Sequence, residues 1–137
     1  MDREIKFRAL KDDMSNCNFM YGQLVYDAIG QPRITDIDKS GQGLTFHTCF
    51  KGTEGQYTGL KDKNGKEMYE GDILRVTYGT GKVEFHAGCF MIVWIDDKEA
   101  NMELLSMSDY KRGTARNDVE IIGNIHENTE LINKSIQ

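Results

Sequence analysis

Residues 57–76 read YTGLKDKNGKEMYEGDILRV, and this stretch decides the fold. A turn-forming segment, Asp-Lys-Asn-Gly at residues 62–65, lies between two strand-like segments, and the stretch ends in an apolar strand that begins at Ile73. A short Asn-Gly-containing turn between strand-forming residues is typical of a β-hairpin. We therefore predict a hairpin that leads into a buried strand.

The charges around this turn discriminate between two registers. A two-residue turn at Asn64 and Gly65 would place like charges opposite each other on the two strands. A type I turn with Gly65 in a left-handed bulge position would instead create three favourable pairs, each contributing roughly 0.2–1 kcal/mol. We predict the bulged turn, with positive φ at Gly65. Its three pairs are Asp62 with Lys66, Lys61 with Glu67, and Leu60 with Met68.

The rest of the chain predicts a mainly β protein. One proline and 14 glycines indicate many tight turns, including one at Gly79–Gly81. Asp27–Gly43 is predicted to be irregular with at most a short strand, and residues 96–117 fit either a helix or a strand. Asn128 is expected to cap a short C-terminal helix. The predicted strands are Arg3–Ala9, Phe19–Tyr26, Leu44–Phe50, Ile73–Tyr78, Lys82–His86, Cys89–Ile95 and Val119–His126, and the predicted helix is Thr129–Asn133.

A glycine-rich loop at residues 51–56 separates two predicted parts. Residues 1–56 are expected to form an N-terminal β-meander, which packs on a small SH3-like β-barrel within residues 57–137. The two parts are expected to form one compact unit. We assign structural roles in turns to Asp62, Asn64, Gly65, Gly71 and Asp72, with Asp72 accepting hydrogen bonds from turn amides.

The strand Phe90–Ile95 is apolar on both of its faces. Since neighbouring side chains of a strand point to opposite sides, one face can be buried in the barrel while the other needs separate cover. We expect that cover to come from the N-terminal strands, from Met102–Met107, or from another copy of the chain.

Composition restricts the possible function classes. The net charge is −5, and residues 96–137 carry nine acidic and five basic side chains, which disfavours non-specific coating of nucleic acid. No apolar run is long enough to span a bilayer. Met1–Glu4 is not followed by the apolar segment of a secretory signal, so we expect no such signal. We expect the three cysteines, Cys17, Cys49 and Cys89, to be reduced thiols in a cytoplasm.

Two His–Cys pairs raise the hypothesis of a zinc site. His47 and Cys49 lie two positions apart on a predicted strand, and His86 and Cys89 flank a tight turn. Two imidazoles and two thiolates can hold zinc tetrahedrally. Neither pair has Cys-x-x-Cys spacing, however, and cysteine in a sheet is ordinarily a small buried side chain. We expect no bound metal and no cofactor.

Candidates for catalysis are weaker. Glu67, Glu70 and Asp72 lie near one hairpin end and could act as paired acid and base, but charged hairpin edges are usual on solvated sheets. Cys17 with His126 or His47 could form a nucleophile pair, although the residues around Cys17 match no nucleophile motif. We expect no catalytic residue.

A cluster of basic residues favours a binding function. Lys61, Lys63 and Lys66 lie on one turn, and Arg75 lies on the following strand. Arg3, Lys6 and Arg8 line the predicted polar face of the first strand. Together with Tyr57, Tyr69 and Tyr78 they could contact and stack single-stranded nucleic acid. The competing interpretation is an ordinary solvated turn.

Three blocks of sequence resemble the YopX family of phage and prophage proteins. They are REIKFRA at residues 3–9, QYTGLKDKNGKE and YEGDI at residues 56–67 and 69–73, and VEIIGNIHEN at residues 119–128, followed by Glu130-Leu131. Leu10 stands where the family usually has Trp, and His126 and Thr129 stand where it often has Tyr and Pro. The resemblance implies a mainly β protein of a phage or prophage, and it implies no catalytic motif.

These observations favour a non-enzymatic protein of the bacterial host cytoplasm. We expect it to act through contacts with other proteins, with homo-oligomerisation as one form of such contact. The alternative is a nucleic-acid-binding module in phage replication or regulation, and a minor alternative is a small hydrolase.

Overall fold

The structure is a computed structural model, and it describes residues 4–13, 18–37, 43–77, 79–96, 101–105 and 119–136. Cys17 and Tyr78, which entered the predictions above, lie outside these residues. The chain divides into two compact units, Met1–Tyr57 and Thr58–Gln137. The described residues form eleven β-strands in antiparallel sheets and one short helix.

The first unit contains four strands and the start of a fifth. Their order in the sheet is β4-β3-β2-β1-β5, all antiparallel where register is established. A small core of Ala9, Ile34 and Cys49 lies on one face of this sheet. The strands are β1 (Phe7–Leu10), β2 (Phe19–Tyr26), β3 (Pro32–Ile37), β4 (Leu44–Thr48) and β5 (Gly55–Lys61).

Two features of the first unit differ from the expectation. Within the segment expected to be mostly irregular, β3 is a full strand of six residues. It begins at Pro32, a position where proline's missing N–H is tolerated. In addition, the end of β1 reaches the end of β4 through an antiparallel bridge between Lys11 and Cys49, with Phe50 N–H donating to the Leu10 carbonyl at 2.8 Å.

The second unit is built around a five-stranded antiparallel sheet in the order β10-β9-β8-β7-β11, and β5 ends in this unit beside β6. Its core contains Met68, Leu74, Val76, Val83, Ile92, Leu105 and Val119. The elements are β6 (Glu67–Tyr69), β7 (Asp72–Val76), β8 (Gly79–His86), β9 (Cys89–Trp94), β10 (Met102–Leu104), β11 (Glu120–Asn124) and α1 (Thr129–Ile136).

The ambiguous segment after β9 contains a strand rather than a helix in its described part. β10 pairs with β9, with Met102 opposite Val93 and Leu104 opposite Met91. The next residue, Leu105, is buried in the core. On β9, Ile92 and the adjacent Val93 are both buried, so both faces of this strand are shielded from solvent there.

The predicted turn at Gly79–Gly81 was wrong, because these residues belong to β8. Gly81 lies opposite Trp94 on β9. A Cβ atom at Gly81 would lie 2.4 Å from Cγ2 of Ile92, so glycine is required here by close packing rather than by a turn.

The strand order of the second unit is that of an open sheet over the described residues. β10 and β11 lie at opposite edges, and no pairing between them is described. The final strand β11 returns to the side of the first strand β7, with a bulge between Ile121 and Gly123.

Candidate interaction surfaces

The 62–66 turn adopts the bulged register. Gly65 has φ +81°, its N–H donates to the Asp62 carbonyl at 3.0 Å, and the Asp62 N–H donates to the Lys66 carbonyl at 2.8 Å. The Asp62 side chain stabilises the turn further, because Oδ1 accepts hydrogen bonds from the amides of Asn64 and Lys66, both at 2.9 Å. Both the backbone and the carboxylate thus hold one turn geometry.

The same carboxylate ties the turn to β11. Asp62 Oδ2 accepts the Ile121 amide at 3.1 Å, and the Lys63 amide donates to the Val119 carbonyl at 2.9 Å. Burial by itself would raise the pKa of Asp62, but the hydrogen bonds from backbone amides outweigh it and lower the pKa below its ordinary value. Asp62 therefore stays ionised at neutral pH and is committed to structure.

The turn of residues 27–31 is a second copy of this arrangement. The Asp27 Oδ1 accepts the amides of Ile29 and Gln31, both at 3.0 Å, and Gly30 has φ +81°. The Asp27 N–H donates to the Gln31 carbonyl at 3.1 Å, as the Asp62 N–H does to Lys66. The sequence pattern Asp-x-x-Gly encodes both turns because Asp accepts from the turn amides and Gly takes the positive φ.

The four basic residues proposed for nucleic acid are exposed, but two of them share one carboxylate. Glu120 Oε2 lies 3.0 Å from Arg75 Nη2 and 3.4 Å from Lys63 Nζ. The hydrogen bond from Arg75 and the charge of Lys63 lower the pKa of Glu120. This pairing reduces the positive field that the turn presents, while Lys61 and Lys66 project from the same hairpin into solvent.

Gly71 and Asp72 form a structural corner. The buried carboxylate of Asp72 accepts the Tyr69 amide at 2.8 Å, and Gly71 has φ +90°. The Gly71 N–H donates to the Val83 carbonyl at 2.9 Å, and its own carbonyl accepts from Ile125 at 2.8 Å. This corner joins β6 to β7, and the Asp72 carboxylate stabilises it by accepting the Tyr69 amide.

The His–Cys pairs lie in different units. Cys49 is buried in the core of the first unit, and burial raises the pKa of its thiol. In the second unit His86 and Cys89 face each other at the end of the β8–β9 hairpin, where His86 Nε2 contacts Glu84 Oε1 at 2.8 Å. In the part of the chain that the structure describes, no group of three or more His, Cys, Asp or Glu side chains could hold a metal ion.

Asn128 and Asn124 organise the start of α1 in a way that differs from a simple cap. The Asn128 Oδ1 accepts the Asn124 amide at 3.0 Å, and the Asn124 Oδ1 accepts the amides of His126 and Glu127. Asn128 thus precedes the helix at the expected position, while its carboxamide oxygen bonds back to the end of β11.

An exposed apolar face on the first unit was not anticipated. Thr35 lies opposite both Gln23 and Phe46, whereas the core residue Ile34 lies opposite Leu24 and His47. Because strand side chains alternate, Tyr21, Val25, Leu44 and Phe46 therefore share the sheet face opposite to the core. Each of the four is at least 38% exposed. We call these four residues the exposed apolar face.

A signal for this face was present in the sequence. The β2 segment FMYGQLVY has apolar residues at both odd and even positions, so both of its faces had to be apolar. At one end of the same face Arg8 is buried, with its guanidinium carbon 4.2 Å from the centre of the Phe19 ring. The apolar face thus continues from a packed end at β1 to an exposed end at β4.

In the described ranges, no helix has the length and apolar character needed to cross a bilayer.

Comparisons with known proteins give a fold and a family. A search of curated proteins found no match. Among solved structures, protein EF1440 from Enterococcus faecalis superimposes with a TM-score of 0.57 and 24% identity, covering 96% of this chain and 99% of that one. Protein yopX from Bacillus subtilis superimposes with a TM-score of 0.55 and 16% identity, covering 93% of this chain and 95% of that one. These likenesses support the fold. The family model described as YopX protein matches residues 6–133, nearly the whole chain, and the protein therefore belongs to the YopX family.

Proposed function

We propose that this protein is a non-enzymatic accessory protein of a phage or prophage, acting in the host cytoplasm by binding other proteins. The observation that carries the proposal is the exposed apolar face, in which four apolar side chains lie on one side of a sheet. Exposed apolar side chains gathered on one sheet face mark contact sites for other proteins. Gln23, Arg33 and Thr35 share this face and would supply the polar contacts of such a site. The phage setting derives from the resemblance to the family.

The proposed absence of catalysis is supported by how the candidate groups are used. The carboxylate of Asp72 accepts a backbone amide inside the protein. The Cys49 thiol is buried with a raised pKa, whereas a nucleophilic cysteine needs a lowered one. A small hydrolase, the minor alternative, would need reacting groups other than the Asp72 carboxylate and the Cys49 thiol. We propose no cofactor.

Capture from cells that carry the parental prophage tests the proposed function. The wild-type chain and Phe46→Lys would each be used as bait, with nuclease-treated lysate and mass spectrometry of the bound proteins. We expect a defined protein to be retained by the wild type and lost with Phe46→Lys. Ile29→Lys is the matched control, because Ile29 is 87% exposed but lies on the β2–β3 turn. Equal retention by wild type and Phe46→Lys would contradict the proposal.

A second candidate function, binding of single-stranded nucleic acid in phage replication or regulation, is favoured by the exposed lysines of the 62–66 hairpin. Lys61 and Lys66 are the better contacts, since Lys63 and Arg75 share Glu120. Fluorescence anisotropy with a labelled oligonucleotide tests it. Binding that weakens with salt and is lost in Lys61→Gln/Lys66→Gln would favour this function over protein binding.

For the second unit we propose an SH3-like barrel. The return of β11 to the side of β7 is the step by which a meander starts to close on itself. Closure would require further backbone contacts between β10 and the β6 or β11 side. Inter-strand nuclear Overhauser effects between these strands would demonstrate them. Solvent exchange of the β10 amides that point away from β9 would argue for an open sheet.

A further inference from the structure

We propose that β4 pairs with β4 of a second copy of this chain, antiparallel, about a two-fold axis at Thr45. This rests on the proposed function, because it names the partner that the exposed apolar face would take.

Among the described residues, β4 is the terminal strand of the first sheet, with β3 along one side and only the Lys11 bridge and the Asp12 hydrogen bond at one end of the other side. The Cys49 N–H donates to the Pro32 carbonyl at 3.0 Å, so the backbone groups of Cys49 point toward β3. The carbonyl of Thr48 points the other way, since it accepts the Asp12 amide at 2.9 Å. Backbone direction alternates along an antiparallel strand, and the N–H and C=O groups of Phe46 and Leu44 therefore point outward as those of Thr48 do.

The open part of this edge is short and apolar. The bridge between Lys11 and Cys49 and the hydrogen bond from Asp12 cover the end of β4 near Thr48. Leu44 and Phe46 remain, 61% and 53% exposed. Natural edge strands are usually protected by lysine, proline or a bulge. The sequence of β4, LTFHT, contains neither lysine nor proline, and its register with β3 is regular.

β4 is self-complementary in its side chains and is a place where charge does not oppose a second copy. The chain carries a net charge of −5, so two copies repel each other over most of their surfaces. β4 has no acidic or basic side chain apart from the imidazole of His47, so its self-pairing brings no like charges together. With Thr45 on the axis, Leu44 of one copy lies opposite Phe46 of the other, twice, and apolar side chains meet apolar side chains. Nucleic acid would find no fixed cation on this strand.

The test uses the wild-type full chain. Sedimentation equilibrium over a range of concentrations should show a monomer–dimer equilibrium. Amide hydrogen exchange should then show the Leu44 and Phe46 amides protected at dimer concentrations and exposed on dilution. The Thr45 and His47 amides, which point toward β3, serve as internal references that stay protected in both conditions. A structural role of β4 within one copy would not produce this concentration dependence.

Variants give the second readout. Leu44→Lys/Phe46→Lys should weaken dimerisation by about tenfold or more, because the pairing would bring four added like charges, two from each copy, opposite one another. Ile29→Lys should leave it unchanged. If the double variant does not fold, the exchange measurement on the wild type decides alone.

A monomer at every concentration would overturn the inference, and so would a dimer whose Leu44 and Phe46 amides exchange as they do in the monomer. The chain could instead stay monomeric and capture a different protein in a way that depends on Phe46. That result would contradict pairing with a second copy but would support the proposed function. Concentration-dependent protection without any captured protein would support self-pairing alone.

Discussion

The carboxylate of Asp62 accepts a hydrogen bond from the amide of Ile121 at 3.1 Å, although 59 positions separate the two residues. One side chain thereby stabilises its own hairpin turn and connects it to the last strand of the sheet. Two of the three blocks of sequence that resemble the YopX family, residues 56–73 and 119–131, meet at this hydrogen bond. Their chemistry here is structural.

We expect Gly65→Ala to destabilise the protein by about 1 kcal/mol or more, because alanine is strained at the φ of +81°. No atom lies within 4 Å of the position that a Cβ would occupy, so the cost is conformational and not steric. Chemical denaturation measures it. Gly65→Asn should cost less, since asparagine tolerates the left-handed region; equal stability of wild type and Gly65→Ala would argue against the bulged turn.

Ionisation of Asp62 should contribute to the fall in unfolding free energy at low pH. Its folded-state pKa is lowered, so folding favours the ionised form. That contribution is complete above the unfolded-state pKa, about 3.9 for Asp, and is lost as the pH falls toward and through the lower folded-state pKa. Asp62→Asn should therefore flatten the fall in unfolding free energy below about pH 5. Asp27→Asn removes an equivalent turn contact and the contact of Asp27 with Arg33 at 3.4 Å, but no bond to a strand distant in sequence, and it should flatten the fall less.

Ala87 is the only described non-glycine residue with positive φ, at +52°. It occupies the two-residue turn between β8 and β9 together with Gly88, an arrangement in which Asn-Gly is preferred. We expect Ala87→Asn to stabilise the protein by up to about 1 kcal/mol, and Ala87→Val to destabilise it because β-branched residues resist this region. Melting temperatures of the two variants provide the measurement; the opposite order would contradict the assignment of this turn.

The purified protein should hold no stoichiometric zinc. Cys49 is used in the core of the first unit, and His86 contacts Glu84. Elemental analysis together with melting in the presence of a chelator checks this. One equivalent of zinc, with a chelator-sensitive melting temperature, would overturn the prediction.

Val93→Asp should unfold the protein. Val93 is 6% exposed within a single chain, between Lys82 and Met102 on the neighbouring strands. A carboxylate there would lose its hydration, and the neighbouring Lys82 is already paired with Glu84 at 2.9 Å. Circular dichroism and sedimentation report fold and size. Val25→Asp, at a strand position that is 38% exposed, is the matched control and should stay folded. A folded Val93→Asp that only changes its oligomeric state would place this strand in an interface between copies.

Local chemistry explains how much of this protein was predictable from its sequence. The charges beside Asn64 and Gly65 allowed the turn register to be predicted, because cross-strand neighbours interact directly. The strand Phe19–Tyr26 has the predicted bounds, and the family followed from contiguous motifs. Strand ends were less accurate: the first strand begins at Phe7 rather than Arg3, since alternation continues beyond the last ladder hydrogen bond.

Other properties depended on residues that are distant in sequence and were decided only by the tertiary structure. Glu120 pairs with Arg75 and Lys63, which are two of the four basic residues proposed to contact nucleic acid. No local sequence pattern predicts these contacts. Gly81 was mistaken for a turn residue because the side chains that need its space lie on β9. The exposed apolar face likewise emerged only when strand pairing had set which sides of β2 and β4 point away from the core. Sequence determines what each segment can form, whereas register and strand order determine which side chains meet.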